Sequence, residues 1–297
     1  MDRIVPYLWF EQDAEEAVQF YVSLFDDSEI TLEQKLEGTP SGADAATYEF
    51  KLAGQLFGAI NGGPGFTFNP SISLSVICDT HDEIDTLWAK LSEGGRALMP
   101  LQKHPFSEYY GWVEDKYGLS WQLIDSEGHD YKQKISVQLM FSGSHTGKAH
   151  EAMQFYTDIF KDGLIDDLHE YDARDANHPD AKVAHARFEI LDTEILAADN
   201  GNPTEYDFTE AFSLMVMCVT QAEIDYYWEK LSAYPESEQC GWLKDKFGVS
   251  WQIVPANLND LLSRGTQKQI NAATEAFLPM KKLEIERLER AWEIAAE

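Results

Sequence analysis

Most of this chain is written twice, and that repetition limits the folds open to it more than any other feature. Ala17-Val-Gln-Phe-Tyr-Val-Ser-Leu-Phe25 returns as Ala152-Met-Gln-Phe-Tyr-Thr-Asp-Ile-Phe160. Cys78-Asp-Thr-His-Asp-Glu-Ile-Asp-Thr-Leu-Trp88 returns as Cys218-Val-Thr-Gln-Ala-Glu-Ile-Asp-Tyr-Tyr-Trp228. Gly111-Trp-Val-Glu-Asp-Lys-Tyr-Gly-Leu-Ser-Trp-Gln122 returns as Gly241-Trp-Leu-Lys-Asp-Lys-Phe-Gly-Val-Ser-Trp-Gln252, and Asn61-Gly-Gly-Pro64 is echoed by Asn200-Gly-Asn-Pro203. The order is the same each time, so the chain is a tandem duplication. Its 297 residues suit two domains of roughly 100–200 residues each. Copy one is expected over residues 1–128, copy two over 132–256, and a helical tail over 257–297. The polar stretch Ser126–Lys134 marks the joint. Equivalent blocks are 135 residues apart at Ala17, 140 at Cys78 and 130 at Gly111. Copy one therefore carries ten extra residues between Ser92 and Gly111, expected to lengthen a hairpin.

Within copy one a pattern occurs twice. Val5–Phe10 is an apolar run that reads as a strand. Asp13 with Glu16 predicts a capping box, and Ala14, Ala17, Val18, Tyr21, Leu24 and Phe25 follow helical spacing. Ser28–Leu36, Thr47–Leu52 and Gln55–Ile60 read as strands, punctuated by Gly38, Gly42 and Gly54. The pattern restarts with a strand at Ile72–Cys78, a box at Thr80 and Glu83, and a buried stripe of Ile84, Leu87, Trp88 and Leu91. Strands follow near Ala97–Leu101, Tyr110–Glu114 and Leu119–Ile124. Each copy thus reads as two βαβββ units, an α+β fold. The tail predicts a short helix at Leu258–Leu262 and a longer one with Ile285, Leu288, Trp292 and Ala295 near one face.

Charge narrows the partners. Fifty-two acidic against 23 basic residues give a net charge of −29. No broad basic face for nucleic acid or anionic membranes is compatible with that balance. Three cysteines, Cys78, Cys218 and Cys240, make no disulfide framework. The start lacks the apolar run of a secretory signal, and no stretch of about 18 apolar residues exists. The expectation is a soluble, reduced, cytoplasmic protein.

Paired βαβββ units are the build of the vicinal oxygen chelate superfamily, the glyoxalase/bleomycin-resistance-like proteins. Pro6-Tyr-Leu-Trp-Phe10, the Ala17–Phe25 block, Asn61-Gly-Gly-Pro64 and Asp115-Lys-Tyr-Gly-Leu-Ser-Trp-Gln122 resemble its PhnB-like branch. That branch is also labelled 3-demethylubiquinone-9 3-methyltransferase-like. Cys240–Gln252 and the tail segment Met280-Lys-Lys-Leu283 are similar to it too, so the resemblance spans nearly the whole chain. It implies two tandem domains whose units form cupped mixed sheets, pairing as a dimer does but within one chain; a homodimer is the alternative.

The resemblance also implies where a divalent metal would sit, on four sheet positions. In copy one these fall on Pro6, Ala59, Ser71 and Gln122, and in copy two on Val137, Ala198, Ala211 and Gln252. Six of the eight offer no metal-binding side chain of consequence. Neighbouring Gln138, Asp199 and Asn61 add little, so no metal and no cofactor is expected. His145 and His150 are five apart, not the four that shares a helical face. Asn61-Gly-Gly-Pro-Gly65 precedes Phe66-Thr-Phe68 rather than a helix, unlike a nucleotide-cofactor turn. Cys78 and Cys218 end apolar strands and read as buried thiols, with Cys240 more exposed.

What remains is a cup lined by aromatics and amides. The candidates are Trp9, Tyr48, Asn61, Trp112, Trp121 and Gln122 in copy one. In copy two they are Met140, Asn200, Trp242, Trp251 and Gln252. Three readings stay open. One is metal-independent binding of a small, partly apolar molecule; one is a lyase, isomerase or dioxygenase of the superfamily; one is an interaction protein with vestigial cups and a working C-terminal helix.

Overall fold

The computed structural model describes residues 3–36, 45–172 and 175–296. Gly38 and Gly42 lie outside the described residues. Copy one opens with β1 (Ile4–Phe10), α1 (Ala14–Val22), β2 (Glu29–Leu36), β3 (Ala45–Leu52) and β4 (Gln55–Asn61). It restarts with β5 (Ile72–Cys78), α2 (His81–Leu91), β6 (Arg96–His104), β7 (Ser107–Glu114) and β8 (Ser120–Asp125). Copy two gives β9 (Ile135–Phe141), α3 (Ala149–Ile159), β10 (Leu164–Glu170), β11 (Val183–Ile190) and β12 (Thr193–Asp199). It then gives β13 (Phe212–Cys218), α4 (Gln221–Leu231), β14 (Trp242–Lys244) and β15 (Ser250–Pro255). The tail forms α5 (Leu258–Ser263), α6 (Gln267–Phe277) and α7 (Ile285–Ile294).

Three of the four units are βαβββ as expected; the fourth is not. Copy two is ten residues shorter at this point, so among the described residues no strand precedes β14 in the way β6 precedes β7. The extra residues of copy one build the β6–β7 hairpin, as their position implied.

The sheets do not follow the repeat. One has seven strands in the order β14-β15-β13-β1-β4-β3-β2, the other eight in the order β10-β11-β12-β9-β5-β8-β7-β6. Each therefore joins one unit of copy one to one unit of copy two. The seams are antiparallel, β1 on β13 (Ile4 opposite Val216) and β5 on β9 (Val76 opposite Ile135).

Side chains alternate across each strand. On β1, Ile4, Leu8 and Phe10 enter one core with Tyr21 of α1 and Trp121 of β8. That core draws on both sheets and on α1, α2, α3 and α4. The opposite face of each sheet is its cup. Burying the large side chains of this core, at roughly 1.5–3 kcal/mol each, supplies the main drive to fold, set against a chain-entropy cost of similar size.

Helix starts show where local sequence decides and where it does not. Thr220 and Glu223 form the full capping box at α4, and the Thr80 hydroxyl accepts from the Glu83 N–H at α2. The predicted box at Asp13 and Glu16 does not form. The Asn61 side chain, from the end of β4, accepts from the Ala14 N–H at 2.8 Å instead. Asp199, at the end of β12, does the same for Ala149 of α3 at 3.1 Å.

Candidate functional site

The repeated motif around Asp115 is a structural device. The Asp115 carboxylate accepts the N–H groups of Tyr117 and Leu119, which closes the β7–β8 turn, with Gly118 at a φ of 88°. It also accepts from Trp121 Nε1 at 2.9 Å and from the Tyr21 hydroxyl at 2.8 Å. Asp245 repeats this in copy two, with Phe247, Val249, Trp251 (2.8 Å) and Tyr156 (2.7 Å). The two strongest repeat blocks are thus donor and acceptor of one buried network. Burial pushes the Asp115 carboxyl up to about 6 and raises Asp245, against the hydrogen bonds that pull both down.

Trp121 and Trp251 consequently leave the list of cup residues. Both are fully buried on the helix side, committed to Asp115 and Asp245. A residue and its strand neighbour point to opposite faces, so Trp121 and Gln122 cannot both line a cup. Asn61 is also occupied elsewhere, as the cap of α1.

The seven-stranded sheet holds a partly open cavity of about 540 Å³. Its walls combine Tyr7 and Trp9 of copy one with Met215, Trp242 and Gln252 of copy two. Three of the expected residues, Trp9, Trp242 and Gln252, therefore meet at one site, whereas Tyr48 pairs with Ala59 and turns with it into the helix-side core. Sequence reading put them in two separate cups because it assigned one cup to each copy. Tyr7, the other main wall, was missed; strict alternation from Trp9 was the signal that could have found it.

The aromatic rings stand at right angles to one another. Trp9 meets Trp242 at 6.0 Å between ring centres and 85°, Tyr7 meets Trp242 at 5.8 Å and 89°, and Phe66 meets Trp9 at 5.2 Å and 73°. Two glycines, Gly58 on β4 and Gly62 just after it, make room. A Cβ on Gly58 would lie 2.3 Å from the Tyr7 ring, and one on Gly62 would lie 2.2 Å from the Trp9 ring. This is the use of the Asn61-Gly-Gly-Pro-Gly65 segment: it seats Trp9, whose Nε1 also donates to the Gly63 carbonyl at 2.9 Å.

The tail borders the cavity. Asn259 of α5 donates to Glu49 at 2.7 Å, Gln34 donates to the Leu262 carbonyl, and Leu258, Phe277 and Leu278 line the cavity wall. Cys240 and Gly241 donate their N–H groups to Met280 and Lys281 at 2.7 and 2.8 Å. Cys240, expected to be exposed, is buried under this segment. Burial pushes the Cys78 and Cys218 thiols up to about 12 and raises Cys240, so none is poised as a nucleophile.

The other sheet carries the remaining candidates in a different setting. Gln122 is fully engaged: it accepts from the Tyr110 hydroxyl and donates to Ser73, both at 2.8 Å. Gln252 donates to Ser213 at 3.0 Å, but the place of Tyr110 is taken by Cys240, whose shorter side chain leaves the carbonyl of Gln252 facing the cavity. Trp112 pairs with Gln122 across β7 and β8, and its indole N–H is buried without a partner among the described residues. Met140 is on β9, and Asn200 donates to Ser142 (3.3 Å) and Tyr206 (3.1 Å) beyond β12.

The donor set does not suit the metal the fold implies. Among the described residues no three His, Cys, Asp or Glu side chains converge. Pro6 is not on the cavity wall, Ala59 packs in the core, and the Asp199 carboxylate is spent on four backbone N–H groups. Gln252 stands on the cavity wall without a charged ligand partner.

The chain has the glyoxalase, or vicinal oxygen chelate, fold, built from four related units around shared sheets. The sequence profile described as 3-demethylubiquinone-9 3-methyltransferase matches residues 2–124 and 133–254, and the chain belongs to that family. A PhnB protein of Bacillus cereus, described as a putative 3-demethylubiquinone-9 3-methyltransferase, is 45% identical over 42% of this chain and 99% of its own, with a TM-score of 0.39. Glyoxalase I of Zea mays is 10% identical over 85% of this chain and 91% of its own, with a TM-score of 0.55. At that identity it shows the fold alone. No curated protein matches the chain. Among the described residues no helix is long and apolar enough to cross a membrane.

Proposed function

We propose that this chain binds a small, partly apolar molecule in the cavity of the seven-stranded sheet, without a metal. The observation that carries the reading is the aromatic corner of Tyr7, Trp9 and Trp242 with Gln252 beside it on the same cavity wall. A volume near 540 Å³ lies within the roughly 300–1,000 Å³ of ligand sites. Apolar walls supply affinity, and the free amide oxygen supplies one directional contact. The thiols, none paired in a disulfide, fit a reducing cytoplasm.

The experiment is a titration with small aromatic compounds, followed by calorimetry and by tryptophan emission, with and without a chelator. Saturable binding that survives the chelator and weakens at least tenfold in Trp242→Ala supports the reading. Binding or turnover that appears only with added divalent metal sinks it and favours the superfamily enzyme.

A further inference from the structure

The chemistry of the cavity wall points further, to the charge of the occupant. Lys, Arg and His are all absent from the described residues of the wall, whereas Glu49, Glu210 and Glu236 are present. Glu210 is neutralised by Lys244 at 2.5 Å. Glu236 stands at the rim, while Glu49 faces inward from β3, opposite Gly58 and so beside the ring of Tyr7. The Glu49 carboxylate is held by neutral donors, Thr31 at 3.0 Å and Asn259 at 2.7 Å, so its charge is oriented but not cancelled by an ion pair among the described residues. Burial raises the Tyr7 phenol, and the Glu49 charge adds to that rise. The Tyr7 hydroxyl has no hydrogen-bond partner among the described residues.

A fixed negative charge beside three electron-rich rings suits a cation and repels an anion. The other cup has the opposite sign at the same place. By strand register Glu49 opposite Gly58 corresponds to Arg187 opposite Leu196. The difference therefore belongs to this cavity and not to the repeat. The net charge of −29 would also draw cations toward the molecule.

We infer that the cavity takes an organic cation, an amine or quaternary ammonium group on an apolar body, with the charged end between Glu49 and the rings of Tyr7 and Trp242. The inference rests on the reading of this cavity as a small-molecule site. The test uses three probes of one shape on the full chain: 3-phenylpropyl-trimethylammonium, its neutral tert-butyl counterpart and 4-phenylbutyrate. The cation should bind at least about tenfold tighter than the neutral probe, and the anion weakest. Glu49→Gln should remove most of that advantage and leave the neutral probe's affinity unchanged. Equal binding of cation and neutral probe, or tighter binding of the anion, overturns the inference while the cavity reading stands. If no probe binds, or if Trp242→Ala changes none of the affinities, the cavity reading falls and the inference with it.

Discussion

Glu49 and Arg187 occupy the same register position of the repeated hairpin, one opposite Gly58 and the other opposite Leu196. They carry opposite charges into two cups that differ also in the strands and the tail that border them. Arg187 is bound to Asp166 at 2.5 Å and lies 3.8 Å from the buried Glu194, which accepts from Ser136. The Glu49 carboxylate has only neutral partners among the described residues. Duplication has thus left one cup braced by its own ion pairs and the other with a carboxylate on its cavity wall.

A stability difference follows. Arg187→Gln leaves Glu194 without its cation in a buried setting. The loss should be about 1 kcal/mol, below the 3–5 of a fully buried pair because Arg187 is partly exposed. Glu49→Gln keeps both hydrogen-bond partners and should cost less than that. Urea unfolding of the two variants checks this; equal losses would contradict the assignment of brace and free carboxylate.

The Tyr–Asp–Trp networks make a second prediction. Tyr21→Phe and Tyr156→Phe each remove one donor from a buried carboxylate and leave its other contacts in place. A lost hydrogen bond to a charged group is worth about 1.5–3 kcal/mol. The two variants should therefore lose similar amounts, because Asp115 and Asp245 sit in matching surroundings. A loss at one site with none at the other would mean that the repeat is not energetically equivalent.

Asp115 also sets a pH dependence. Its folded carboxyl titrates near 6, above an ordinary aspartate, because burial disfavours the charge. The folded state therefore holds this proton more tightly than the unfolded chain does. Its contribution to stability is full below about pH 4 and is lost as pH rises through about 6. Carbonyl-carbon NMR of Asp115 should show a midpoint near 6. A midpoint near 4 would mean that the four hydrogen bonds outweigh burial.

Much of this was legible in sequence, and the misses have definite causes. Spacing alone placed Ile72–Cys78 on its observed strand, because Ile72, Leu74, Val76 and Cys78 recur at every second residue and enter the core. The duplication announced four related units. Which unit pairs with which was not legible, since β1 and β13 meet across more than 200 residues and no local signal encodes that seam. The expected pocket failed at Trp121 and Trp251 for another reason. Aromatic residues look alike in a sequence whether they wall a cavity or bind a buried carboxylate, and only their alternation with Gln122 and Gln252 tells the faces apart. The capping box at Asp13 failed because the Glu16 carboxylate is held by Lys116 and Tyr117, distant in sequence, while Asn61 caps the Ala14 N–H.

Gly62 offers the sharpest test of how the cavity is kept open. Its place beneath Trp9 tolerates no side chain: a Cβ would lie 2.2–2.4 Å from three atoms of the indole. Gly62→Ala must therefore push Trp9 off β4, toward Phe66 and Trp242, and break its bond to the Gly63 carbonyl. Overpacking of this kind costs about 1–3 kcal/mol. The displaced ring would also occupy part of the 540 Å³ cavity, so ligand affinity should fall together with stability. Gly58→Ala should act alike through Tyr7, with a Cβ 2.3 Å from that ring. Thermal unfolding and probe titration on both variants decide the matter. A variant that loses stability but binds normally would show that the rings form a wall the ligand does not touch.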